Sequence, residues 1–236
     1  MNNAFEKEER YKLYRTVREI LHPTISKKNI SEYKIIVDDN LLPLRIFYPQ
    51  KVTNMNKVTI YIHGDTLLTN CKAKYAEISN KIALSTDNLV ISIDSEELTN
   101  VTNKKYISKM YETTKYLIEE LYKLNIVNIK LLGDSTGSTT ILNFKDNLKK
   151  DNLNLKTILF YPVLSSKYIT KKNKANKDIY DNSLIIIGSE DEYFEEIKIY
   201  TNNIVEIPNM KHGFLKEENQ TVKKLYQEAI TKFLEE

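Results

Sequence analysis

The sequence predicts one α/β domain built on a mostly parallel sheet of roughly eight strands, with helices on both faces. Three observations carry this. After two short alternating runs, strand-like and helix-like stretches alternate to the C-terminus, the pattern of a parallel sheet wrapped by helices. In mid-chain, an apolar strand-like run over 127–132 breaks into Gly133-Asp134-Ser135-Thr136-Gly137 and resumes with helical spacing at Ile141, Leu142, Phe144 and Leu148. Strand, tight turn with a central serine, then helix is the context of a nucleophile elbow. Finally, glycine is scarce, with 5 in 236 residues against a usual ~7%. Glycine persists where backbone needs positive φ or close approach. All five fall in four short stretches: His63-Gly64, Gly133 to Gly137, Gly188 shortly before Asp191, and His212-Gly213.

Taken in order, 4–21 reads as an amphipathic helix, with Leu13, Tyr14, Val17, Ile20 and Leu21 on one face, ended by Pro23. It either packs on the domain or contributes to a cover over the site. Runs over 32–38 and 44–48 alternate in polarity and suggest an antiparallel pair at a sheet edge. The third strand, 58–62, leads into His63-Gly64-Asp65. A helix over 71–85 precedes Leu89-Val90-Ile91-Ser92-Ile93, a run suited to a sheet buried on both faces. A longer helix over 104–123 carries Ile107, Met110, Leu117, Ile118 and Leu121 at helical spacing. Beyond the elbow come a strand over 157–161, a stretch over 165–182 without clear periodicity, strands over 184–187 and 204–207, and a C-terminal helix. We read 165–182 as a polar loop or small excursion.

Composition narrows the function classes. A length of 236 residues, with 41% hydrophobic and 28% charged residues, suits one soluble domain spanning 1–236, with 1–30 as an N-terminal helical element. Net charge is +3, and the lysine pairs are scattered among acids and amides, so they read as solvated surface and no nucleic-acid partner is expected. Cys71 is the sole cysteine, which excludes an intramolecular disulfide. No apolar run approaches the ~20 residues of a membrane span, and the first residues lack a signal core. A cytoplasmic setting is the default expectation.

An elbow serine needs a base and a group that orients the base. Of three histidines, His22 sits beside Pro23 and reads as surface. His212 lies just after the last strand, so it shares the carboxyl-end rim of the sheet with Ser135. It is the candidate base. The acids near Gly188 supply the orienting group, with Asp191 preferred and Glu190 as the alternative. Glu192, Glu195 and Glu196 fit an acidic helix start. The loop His63-Gly64-Asp65 is expected to supply a second oxyanion donor beside the backbone N–H of Thr136, and His63 is expected to brace that loop.

Together these residues resemble the α/β-hydrolase superfamily, and within it the hormone-sensitive-lipase-like carboxylesterases and acetyl esterases. The matching stretches are Tyr61-Ile62-His63-Gly64, Gly133-Asp134-Ser135-Thr136-Gly137, Tyr161-Pro162-Val163-Leu164, Gly188 to Asp191, and His212-Gly213-Phe214. The likeness runs from about residue 57 to the C-terminus. It implies an α/β-hydrolase fold, a Ser135, Asp191, His212 triad, backbone N–H groups of Gly64, Asp65 and Thr136 as oxyanion donors, no metal or cofactor, and a small acyl ester as substrate. Three departures stand out. Asp65-Thr66 replace two glycines of the oxyanion loop, and a carboxylate there opposes a developing oxyanion. The segment between Pro162 and Asp191 is short, implying a reduced cap. Asp94-Ser95-Glu96-Glu97-Leu98 replaces the stretch that supports the family's oxyanion loop. The leading expectation is a serine esterase on short acyl esters. A weakly active or inactive binding protein on the same scaffold, and an amide or formamide hydrolase, are the alternatives, and acyl transfer to an alcohol uses the same parts.

Overall fold

The structure, a computed structural model, describes residues 33–35, 42, 44–48, 57–64, 72–86, 88–93, 103–153, 155–217 and 219–235. The expected helix over 4–21, and with it His22, lies outside these residues, as do Asp65, Cys71 and 94–98.

Eight strands form one sheet: β1 (Tyr33–Ile35), β2 (Leu44–Phe47), β3 (Lys57–Ile62), β4 (Leu89–Ile93), β5 (Asn128–Asp134), β6 (Lys156–Phe160), β7 (Ser183–Gly188) and β8 (Ile204–Ile207). Their spatial order is β1-β2-β4-β3-β5-β6-β7-β8. β2 runs antiparallel to both β1 and β4, and every other pairing is parallel. The antiparallel start therefore sits at one edge, as the alternating runs predict. The central strands are buried on both faces, which is why β4 and β7 read as nearly unbroken apolar runs.

The helices are α1 (Lys72–Thr86), α2 (Asn103–Lys123), α3 (Thr136–Lys150), α4 (Lys171–Ala175), α5 (Phe194–Ile197) and α6 (Gln220–Glu235). Strand side chains alternate between faces. Gly133 of β5 lies under Ser138 of α3, while its neighbours Lys130 and Leu132 face α1 and α6. So α3, with α2 beside it, covers one face, and α1 with α6 covers the other.

The aperiodic stretch 165–182 folds into α4 and a 3-10 turn (Lys177–Tyr180) laid along the outside of α3. Side-chain amides hold much of it there. Asn143 Nδ2 donates to the Tyr168 carbonyl at 2.8 Å, and Asn176 Nδ2 to Asp146 Oδ2 at 2.7 Å. A segment tied by amides, with only Ile169, Ile179 and Tyr180 buried, has no apolar stripe for periodicity to reveal.

Candidate active site

The site begins where β5 ends. Ser135 has φ 51° and ψ −123°, outside the ordinary allowed regions for an L-residue. Backbone strain of this kind persists only where the surroundings over-determine it. Here the Ser135 N–H donates to the Phe160 carbonyl at 3.0 Å, and Ser138 Oγ donates to the same oxygen at 2.9 Å. Two residues on, a Cβ at Gly137 would stand 2.1 Å from the Ile62 carbonyl oxygen, so only glycine lets β3 pass this close to the elbow.

His212 lies in the loop after β8 and Asp191 in the loop after β7. Ser135 Oγ and His212 Nε2 are 2.8 Å apart, and His212 Nδ1 is 2.8 Å from Asp191 Oδ2. A carboxylate only accepts, so Nδ1 carries the proton and Nε2 is left to accept from the Ser135 hydroxyl. The Asp191 carboxylate is fully buried, and its second oxygen accepts the Tyr193 N–H at 2.9 Å. The His212 side chain is 31% exposed, with the buried Tyr161 ring edge-on at 4.9 Å. The imidazole is thus fixed from beneath and open to a ligand from above. Glu190, the alternative orienting acid, is exposed, as are Glu192 and Glu195.

The two loops are stitched together. Glu190 N–H donates to the Met210 carbonyl at 2.9 Å, and Asn209 N–H to Ser189 Oγ at 2.8 Å. A Cβ at Gly188 would meet the Met210 oxygen at 2.0 Å, so this glycine permits the loop contact that sets the Asp191 to His212 distance.

The oxyanion side needs one correction. The Gly64 N–H does not face an incoming carbonyl. It donates to Asp134 Oδ1 at 2.8 Å, the oxygen that also accepts the Tyr61 hydroxyl at 2.7 Å. A donor committed to a buried carboxylate is not available to a ligand. Gly64 instead seats the loop on the elbow, where a Cβ would lie 2.7 Å from Ser135 Cβ and 3.3 Å from the Thr136 nitrogen. Thr136 N–H is therefore close beside this loop, and Asp65 is outside the described residues. His63 stacks on Tyr75 at 4.3 Å, with Nδ1 3.0 Å from its neighbour's carbonyl, a bracing position.

Asp134 and Tyr61 are the site residues that sequence reasoning missed. Asp134 is completely buried, and burial, with Asp134 as the next cause, pushes the Tyr61 hydroxyl well above its usual range and keeps it a donor. An acid directly before an elbow serine, facing a Tyr-x-His-Gly strand end, was the available signal.

No family model matches the chain, and none of the curated proteins does. Solved structures do match. An arylesterase aligns over 95% of this chain and 90% of its own, at 16% identity and a TM-score of 0.64. The Francisella virulence factor BioJ aligns over 95% and 90%, at 18% identity and 0.64. EstE1, a thermostable carboxylesterase from a metagenomic library, aligns over 96% and 97%, at 16% identity and 0.62. The chain has the α/β-hydrolase fold. At these identities the α/β-hydrolase likeness speaks to architecture, and the chemistry is argued from the residues. No helix among the described residues is long and apolar enough to cross a membrane.

Proposed function

We propose that this α/β-hydrolase-fold chain is a serine hydrolase that cleaves short acyl esters of small molecules through an acyl-enzyme. The observation that carries the reading is the unbroken line from Ser135 Oγ through His212 to the buried Asp191, with both contacts at 2.8 Å. His212 Nε2 takes the hydroxyl proton as Oγ attacks the carbonyl carbon, and the imidazolium is stabilised by Asp191. His212 then returns the proton to the leaving alcohol. Water, activated by the same imidazole, releases the acid and restores Ser135.

The developing oxyanion is assigned to the backbone N–H groups of Thr136 and Asp65, each such donor being worth roughly 2.7–4 kcal/mol. Gly64 acts one step back, by holding that loop against Asp134. The esterase names of the matched structures agree with this reading. No metal or cofactor enters the mechanism. The 165–182 segment packs along α3 rather than forming a large cap, which favours small substrates over long-chain ones.

Turnover of p-nitrophenyl acetate, butyrate and dodecanoate, set against p-nitroacetanilide, tests the proposal. Expected are the highest kcat/KM on acetate or butyrate, little on dodecanoate, and weak anilide cleavage. Preferential anilide cleavage would replace ester hydrolysis with amide hydrolysis. Failure to turn over any of the four would favour a binding role.

A further inference from the structure

On the face of the sheet away from α3, helices α1 and α6 do not close completely over the strands. They leave a cavity of about 250 Å³. Its lining changes character along the strands. Lys57 and Asn128, the first residues of β3 and β5, are exposed at the mouth, at the end of the strands opposite Ser135. Thr59 and Lys130 pair in register one step deeper. Beyond them the lining is Leu132, Ile158, Phe160 and Leu215.

The polar end is short of partners. Lys130 is 8% exposed, yet no carboxylate pairs with it among the described residues, and no acid is found among those lining the cavity. Its neighbour in register, Lys156, points its amine at the Phe233 carbonyl at 2.8 Å. Asn88 is 3% exposed, and its one side-chain hydrogen bond among the described residues is long, Nδ2 to Thr59 Oγ1 at 3.4 Å. Its Oδ1 has no hydrogen-bond partner among the described residues. Buried amines and amides without partners are costly to keep. Burial, followed by Lys57 and Lys156, lowers the Lys130 pKa to about 8, so the amine is still mostly charged at neutral pH.

We propose that this cavity binds a small amphipathic carboxylate, with its head between Lys130 and Lys57 beside Asn88 and its carbon chain against Leu132, Ile158, Phe160 and Leu215. The carboxylate supplies the anion that Lys130 lacks. The Asn88 carboxamide, turned by half a rotation, gives its NH2 to the ligand and its carbonyl to the Thr59 hydroxyl. At ~30 Å³ for each water-sized group, the volume suits roughly eight non-hydrogen atoms, the size of hexanoate. The carboxylate head sits at the end of β5 away from Ser135, and the proposal does not rest on the chemistry assigned to that serine.

Isothermal titration of the full chain with sodium hexanoate and, separately, with 1-hexanol tests this. Hexanoate is expected to bind at least tenfold more tightly than hexanol. Lys130→Met is expected to lose at least tenfold in hexanoate affinity. Two substitutions at exposed rim positions guard against a folding artefact: Lys57→Ala should weaken binding severalfold, and Thr231→Trp should block entry. The proposal is overturned by absence of hexanoate binding, by equal affinity for hexanol, which would mark a plain apolar void, or by affinity unchanged in Lys57→Ala and Thr231→Trp.

Discussion

Asp191 and Glu190 are adjacent in sequence and opposite in circumstance. Asp191 is buried, takes the Tyr193 N–H on one oxygen and faces His212 with the other, whereas Glu190 is exposed. Asp191→Asn would place an amide against Nδ1 and favour the wrong imidazole tautomer. We expect kcat on p-nitrophenyl acetate to fall about 10⁴-fold, with the far-ultraviolet spectrum unchanged. Glu190→Gln should stay within about twofold, as a surface change touching no reacting group should. At this scale the sequence was most legible where chemistry restricts residue type. A serine between two glycines, a histidine before a glycine, and an acid shortly after Gly188 are rare enough in this glycine-poor chain to be matched. The choice between neighbouring acids had no such signal, since burial decides it. Gly64 was misread for a similar reason. Motif position placed its N–H at the oxyanion, but the buried Asp134 accepts it, and that bond depends on a contact between strands far apart in sequence.

Among the elements, the loops after β7 and β8 set the geometry between Asp191 and His212. Gly188→Ala forces a Cβ into the Met210 carbonyl, 2.0 Å away. The loops must part, and a displacement of about 1 Å can cost on the order of 10²-fold in rate. We predict a folded protein with at least that loss in kcat/KM, checked by circular dichroism and kinetics together. On the other side of the sheet, Lys145 of α3 is buried with its amine on the Asp181 carbonyl and Ser183 Oγ. Burial, then Lys149, lowers its pKa from 10.5 to about 7. Between these values the unfolded chain binds more protons than the folded one, so this residue's contribution to stability rises with pH. Urea unfolding at pH 7 and pH 9 should show wild type gaining stability relative to Lys145→Met. Parallel pH profiles would contradict the assignment. Sequence periodicity found the long elements because each buries a continuous stripe. Periodicity did not mark α5, four residues long and legible only through its acidic start, or α4, whose segment buries few apolar side chains.

For the molecule as a whole, alternation of strands and helices was enough to foresee a mostly parallel sheet with an antiparallel edge. The strand order was not legible, because the crossover that sets β4 between β2 and β3 leaves no trace in local polarity. The consequence of that order is functional. It brings the carboxyl ends of β3, β5, β7 and β8 to one rim, where Gly64, Ser135, Asp191 and His212 meet. The central claim is that this rim holds an activated serine. Its most direct test is labelling by a fluorophosphonate, read by intact mass and peptide mapping. The account predicts rapid formation of one adduct on the Ser135 peptide, none in Ser135→Ala, slow labelling in His212→Ala, and faster labelling in Asp65→Gly, which restores a glycine that the resembled family carries at this position. A folded wild-type protein that takes no label, or takes it at another residue, would contradict the account.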